Sequence, residues 1–182
     1  WARKEGVDIT CDVSINHLHL SEMDIGYFNP NCHLVPPLRT QRDREALRQG
    51  LVDGEINALC SNHTPVDDDA KQCPFAEAEP GATGLELLLP LTLKWAQETR
   101  TPLVKALACV TSDSARIIGS QKGGHLSVNA RADVCIFDPE AYVTVSRARL
   151  RSQGKNTPFL GLELPGEVRY TLVEGQVMFA PT

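Results

Sequence analysis

The sequence predicts an α/β fold: the last β/α units of a barrel or layered sheet, followed by a small β structure. Three observations predict it. Two short β-type runs, at residues 9–14 and 56–60, are separated by a helical stripe at 40–50. Two helical stretches, 85–99 and 103–118, then follow with no strand between them. From Gly123 onward short β-type runs alternate with turns, which divides the chain into residues 1–122 and 123–182.

The elements follow in order. The segment from Trp1 reads as the tail of a helix that stops at Gly6. The β-branched run 9–14 reads as a buried strand. Residues 16–37 are polar and rich in His, Asn and Pro, a loop of the length that usually carries function. Thr40 with Asp43 is a helix-start signal, and Ala46, Leu47 and Leu51 give the stripe behind it. Asp53 and Gly54 mark a turn. The run 56–60 then ends at Ser61, Asn62 and His63. Residues 66–84 are acidic and rich in Gly and Pro. In the helix 85–99, Pro90 is expected to kink or divide the axis. The helix 103–118 is expected to end at Gly119. In the tail, strands are expected at 132–137, 142–145, 167–173 and 176–179, the last two joined through Glu174 and Gly175.

Composition excludes several classes of function. Of 182 residues, 42% are hydrophobic and 23% charged, which excludes a disordered or collagen-like chain. The net charge of −5, with no run of Lys or Arg, argues against nucleic-acid binding and against a basic membrane patch. The longest apolar run, 85–93, is broken by Glu86 and Pro90 and is too short to span a bilayer. The six cysteines form no CxxC pair, so a structural zinc knuckle has no support. Cys11, Cys60, Cys109 and Cys135 lie in apolar segments and are expected in the core, as in a reducing, cytoplasmic protein.

The motifs carry a resemblance. Val35-Pro36-Pro37-Leu38-Arg39 is followed by Asp43-Arg44, then Leu51-x-Asp53-Gly54-x-Ile56, then Asn62-His63-x-Pro65. Further on come Gly81-x-x-Gly84-Leu85-Glu86, Gly124-x-Leu126, Ala132-Asp133-Val134 with Ile136-Phe137-Asp138-Pro139, Asn156-Thr157-Pro158-Phe159-x-Gly161 and Val173-x-Gly175-x-Val177. In this order and spacing they resemble the C-terminal portion of the dihydroorotases, of the amidohydrolase superfamily. The resemblance implies about the last two β/α units of a (β/α)8 TIM-type barrel, strands 7 and 8, plus the C-terminal segment of a small β domain. It implies pyrimidine biosynthesis, the reversible closure of carbamoyl-aspartate to dihydroorotate by a metal-activated water. Family members hold zinc through a His-x-His pair, often a carboxylated Lys, two further His and an Asp at the end of strand 8. Only the last of these positions is expected within this chain.

The departures from the family pattern shape the expectation. The strand-8 Asp, metal ligand and proton acceptor, falls on Asn62. An amide accepts no proton near neutral pH and is a poor ligand. The substrate-binding Asn at the head of NPPLR falls on Val35, and the second His of DHAPH falls on Val66. His63 matches a family residue near the substrate carboxylate, and Gly81 lies in a substrate-side segment. No metal site and no cofactor are therefore expected. His17, His19 and His33 crowd one loop but do not fall on the family's zinc positions, and His125 is expected at the surface. Asp67, Asp68 and Asp69 read as a solvated acidic loop without EF-hand spacing.

The resemblance is strongest to the non-catalytic dihydroorotase-like subunits that accompany aspartate transcarbamoylase, so the catalytic chain of that enzyme is the expected partner. The competing expectation is a working cyclic amidohydrolase, for which His63 is the candidate base. Two strands do not close a barrel, so a missing N-terminal part or self-association along the edge of strand 7 is also expected.

Overall fold

The computed structural model describes residues 2–120 and 123–181, so Trp1 and Lys122, on which two of these readings fall, lie outside the described residues. Strand β1 (Asp12–Ser14) pairs in parallel with β2 (Ala58–Cys60), Val13 opposite Leu59. Parallel neighbours need a crossover. Here it runs through α1 (Ile15–His19) and α2 (Gln41–Val52). The other edge of β1 has no strand partner among the described residues. Ahead of β1, residues 9–11 are exposed, so the buried strand is shorter than its β-branched run.

Residues 16–37 are not one loop. They hold α1 and two 3-10 turns, Glu22–Ile25 and Pro30–Cys32, and they bury Leu18, Leu20, Cys32 and Leu34. A five-residue helix is too short to show a period in sequence. Its C-terminal carbonyls are taken by α2: Arg48 Nη1 donates to Leu18 O at 3.2 Å and Arg44 Nη1 to His19 O at 3.4 Å. Helix α2 starts where expected. Thr40 and Asp43 form a reciprocal capping box, and Leu51 is buried beneath it.

Pro90 does not kink its helix. Helix α3 begins only at Leu88 and runs to Thr99, so Pro90 sits in the first turn, where its missing N–H has no acceptor to lose. The stretch 103–118 breaks instead into α4 (Leu103–Ala108) and α5 (Ser112–Ile117). At the break, the Cys109 carbonyl accepts the Leu59 N–H of β2 at 3.0 Å and the Ser114 hydroxyl at 2.8 Å. A continuous helix would need that carbonyl for itself. Gly119, at φ +67°, follows α5 in the left-handed conformation that ends helices.

The tail is an antiparallel sheet of β3 (Val134–Thr144), β4 (Glu163–Val173) and β5 (Gln176–Phe179). The two runs expected before and after residue 140 are one strand, bulged between Asp138 and Tyr142 around Pro139. Glu174 and Gly175 both have positive φ, the backbone of a tight hairpin turn. Gly166 lies against α3 so closely that a Cβ there would come within 2.3 Å of Leu93 Cδ1. One core links these parts: Leu91 and Trp95 of α3 share a cluster with Ile15, Leu18 and Leu51, and with Val145, Phe159 and Leu164 of the tail.

The cysteines correct the reading of the core. Cys109 is buried, but Cys11 and Cys135 are exposed and Cys60 is half-buried, while Cys32 is buried instead. Cys11 precedes the protected part of β1, and Cys135 lies on an exposed position of β3. Burial pushes the Cys32 thiol up to about 11, and burial together with Asp12 does the same for Cys60. No helix among the described residues is long and apolar enough to cross a membrane.

Candidate active-site region

The candidate site is built at the C-terminal ends of β1 and β2. After Cys60 the chain passes through Ser61 to Asn62, whose φ is +44°. Asn tolerates this left-handed backbone better than most residues, so the turn suits the amide that stands there. His63 then forms a parallel bridge with Ala82, and Thr64 N–H donates to Ala82 O at 2.9 Å.

This pairing presses residues 61–64 against 81–84. A Cβ on Gly84 would fall 2.3 Å from Ser61 O, and one on Gly81 would fall 2.6 Å from Thr64 Cγ2. Both glycines of the Gly81-x-x-Gly84 segment are thus required by close approach. The Gly81 N–H is given to His33 O at 2.8 Å.

His63 is half-buried, and its Nδ1 accepts the backbone N–H groups of Gly84 and Leu85, each at 3.2 Å. Two donors on Nδ1 assign the ring proton to Nε2. The basic lone pair of the ring is therefore committed to the backbone, leaving an N–H donor at the other nitrogen.

Asn156 fastens the region from the far side. It is 3% exposed, and its Nδ2 donates to Thr64 O at 3.0 Å and Gly81 O at 3.1 Å. Its Oδ1 accepts from Val66 N at 3.0 Å and from the Thr83 hydroxyl at 3.0 Å, a proton that Thr83 shares with Gly154 O at 3.1 Å. Val66 is itself buried. The sequence motif containing Asn156 was visible, but nothing local marks this role, because its partners lie about seventy to ninety positions away.

The structure therefore brings together Asn62, His63, Gly81 and Val66. Val35 is different: it is 66% exposed on the neighbouring loop, which reaches the others through the His33–Gly81 bond. The three clustered histidines do not converge. His17 Nε2 donates to Pro36 O and Pro37 O, His19 Nε2 to Leu91 O, and His33 Nδ1 to Ala78 O. His19 is held down to about 4 by burial, against the weaker raising effect of its bond to Leu91. His125 is exposed. Among the described residues, no three His, Cys, Asp or Glu side chains gather as a set able to hold a metal ion. With an amide at the end of β2 and these rings bonded to backbone, the residues present do not fit a zinc donor set.

Residues 92–179 match the Amidohydrolase family. A dihydroorotase-like protein of Pseudomonas aeruginosa is 41% identical over 176 residues, covering 97% of this chain and 41% of that protein. A dihydroorotase of Geobacter sp. is 37% identical over 178 residues, covering 98% of this chain and 42% of that protein. Among solved structures, the L-hydantoinase (dihydropyrimidinase) of Arthrobacter aurescens superposes with a TM-score of 0.91 at 28% identity, over 98% of this chain and 41% of that one. A D-hydantoinase (dihydropyrimidinase) from Thermus sp. gives 0.89 at 22% identity, again over 98% of this chain and 41% of that one, and so speaks to fold alone.

Fold and sequence are thus similar to those of amidohydrolase-type proteins. More closely, the chain is similar to the dihydroorotases, at 36–41% identity over nearly its whole length, and it spans about two fifths of the length of those relatives.

Proposed function

We propose that the chain is the C-terminal portion of a cyclic amidohydrolase homologue of pyrimidine metabolism that has lost ring-closing catalysis and serves as an assembly partner of the aspartate transcarbamoylase catalytic chain. One observation carries the loss of catalysis: Asn62 and His63, in the turn after β2, offer no proton acceptor. Asn62 presents a neutral amide, and the lone pair of His63 is held by Gly84 and Leu85. General-base attack on a cyclic amide needs a group that takes a proton from water in the transition state. The family carboxylate that does so corresponds by resemblance to Asn62. The assembly role rests on the likeness to dihydroorotase-like proteins, and it gives a chain without this chemistry a reason to keep its core intact.

The second reading is an active dihydroorotase, favoured by the relatives that carry that name. It requires a base from outside these residues. The two readings separate in the full-length protein. Metal analysis with a carbamoyl-aspartate cyclisation assay, run beside co-purification with aspartate transcarbamoylase, should give no stoichiometric zinc, background turnover and a stable complex. About two zinc per chain together with cyclisation would establish the active reading, and absence of a complex would remove the assembly role.

A further inference from the structure

The loop after α1 and the acidic loop after β2 form one face. Phe28 packs edge-on against Phe75, ring centroids 5.9 Å apart, and Phe75 lies 4.8 Å from the His33 ring. Lys71 Nζ donates to Pro30 O at 2.9 Å, His33 Nδ1 to Ala78 O at 2.7 Å, and Arg147 from the tail holds Asp68. On this preformed base, Tyr27 is fully exposed, and Met23 and Phe28 are 75% and 69% exposed. Adjacent large apolar groups held outward in this way mark interaction surfaces more often than isolated ones do.

Charge chooses the occupant. Residues 22–35 and 67–79 carry seven carboxylates, Glu22, Asp24, the three aspartates 67–69, Glu77 and Glu79, against one cation of their own, Lys71, with Arg147 reaching in from the tail to pair with Asp68. The whole chain has 23 acidic and 18 basic residues, so everything outside these segments is nearly balanced, with sixteen acidic and seventeen basic. The acidic surplus of the protein is concentrated around its exposed aromatic tip. A second copy meeting the same face would set this charge against itself, and an anionic membrane or nucleic acid would be repelled.

We infer that this face docks a folded protein partner whose contact surface is apolar at its centre and ringed by lysine and arginine. The identity of that partner rests on the assembly reading above; its chemistry does not. Apolar contact at Met23, Tyr27 and Phe28 supplies the adhesion, and the acidic rim speeds and orients encounter.

The test places the photo-crosslinking residue p-benzoylphenylalanine at Tyr27 in the full-length protein, in its native host, and identifies the adduct by mass spectrometry. A variant carrying D67K and D69K measures the contribution of the rim, with its thermal melt as the control for folding. The expected result is an adduct with one other protein, whose yield falls about tenfold in the charge-reversed variant and falls similarly at high salt. An adduct with the aspartate transcarbamoylase catalytic chain supports both proposals. A different, charge-sensitive partner with a basic contact surface supports the face and removes that enzyme as its occupant. Complex formation with aspartate transcarbamoylase but no adduct from Tyr27 leaves the assembly role standing and overturns the face. No adduct, an adduct only with a second copy or with its own chain, or a yield indifferent to charge reversal overturns it as well.

Discussion

Asn156 Nδ2 donates to the Thr64 carbonyl at 3.0 Å, joining residues 92 positions apart. This bond ties the tail of the chain to the turn that carries Asn62 and His63. The same amide also meets Gly81, Val66 and Thr83, so all four of its hydrogen-bonding capacities are used. A fully satisfied amide in a buried position specifies one arrangement of three segments. Replacing Asn156 by Ala takes this partner from the Thr64 and Gly81 carbonyls and from the Val66 N–H, while the Thr83 hydroxyl keeps Gly154 O, at a cost of about 3 kcal/mol or more. Asn156→Asp turns two donors into acceptors facing carbonyls and is expected to cost a similar amount. Denaturant unfolding of each variant against the parent measures both.

The contrast with α2 shows what was readable in advance. Thr40 and Asp43 cap that helix three residues apart, and Glu174 with Gly175 turns the last hairpin within two, so a sequence window contains the whole cause. Helix α1 fills less than two turns and leaves no period. The break after α4 is set by Leu59 reaching for the Cys109 carbonyl across fifty positions. Pro90 was legible as a helix breaker, but whether it breaks or begins a helix depends on where the first turn falls. At the site, the resemblance pointed to Asn62, Val35 and Val66 as departures. It did not reveal that the His63 lone pair is occupied, because its donors are backbone groups on a segment twenty residues away.

The two glycines behind His63 give a second prediction. Gly84→Ala sets a methyl group against the Ser61 carbonyl at 2.3 Å, and that backbone is fixed by the bridge between His63 and Ala82. Overpacking of this kind costs about 1–3 kcal/mol, here toward the upper end because the obstacle is main chain. Gly81→Ala adds the strain of φ +136° to a clash with Thr64. Both variants are expected to melt below the parent in scanning calorimetry, with Gly84→Ala also loosening the His63 ring in NMR spectra.

His19 sets a pH dependence. Its folded value is about 4 against an ordinary 6.5, because burial disfavours the imidazolium. Above pH 6.5 the ring is neutral in both states and contributes no penalty. As pH falls from 6.5 toward 4 the unfolded chain binds a proton that the folded chain refuses, so stability falls through that window and levels below it. The full difference corresponds to at most about 3 kcal/mol, and a smaller loss is expected because the residue is only half-buried. His19→Gln removes the titration, so the gap between parent and variant stability curves should change between pH 6.5 and 4 and stay flat elsewhere. An unchanged gap across that window would show that the ring titrates normally in the folded protein.

Asn16 yields a prediction of opposite sign. It is fully buried in α1, two residues past β1, and neither atom of its amide has a hydrogen-bond partner among the described residues. An unsatisfied buried amide is costly, and an apolar group of similar shape in its place is neutral or favourable. Asn16→Leu is therefore expected to leave stability unchanged or raise it by about 1 kcal/mol, where most core polar-to-apolar exchanges at satisfied sites destabilise. Parallel urea titrations of parent and variant decide between these outcomes.

The last prediction concerns reversal of the proposed catalytic loss. Asn62→Asp restores a carboxylate at the end of β2, on a left-handed backbone that Asp also tolerates. Under the proposed function it does not restore ring closure, because the other departures are independent of it. Val35 stands exposed on its own loop with no group to bond a cyclic amide. Val66 is buried with its N–H held by Asn156, so returning an imidazole there means burying a polar ring in a space packed for an aliphatic one. Val35 lies on a separate loop and Val66 four residues beyond Asn62 in the same turn, and the three losses act on different things, substrate contact, proton transfer and the shape of the turn. The full-length Asn62→Asp protein should therefore show cyclisation of carbamoyl-aspartate at background, with thermal stability within about 1 kcal/mol of the parent. Turnover well above background from this single change would mean that the rest of the site is intact and that one amide alone separates this chain from an active enzyme.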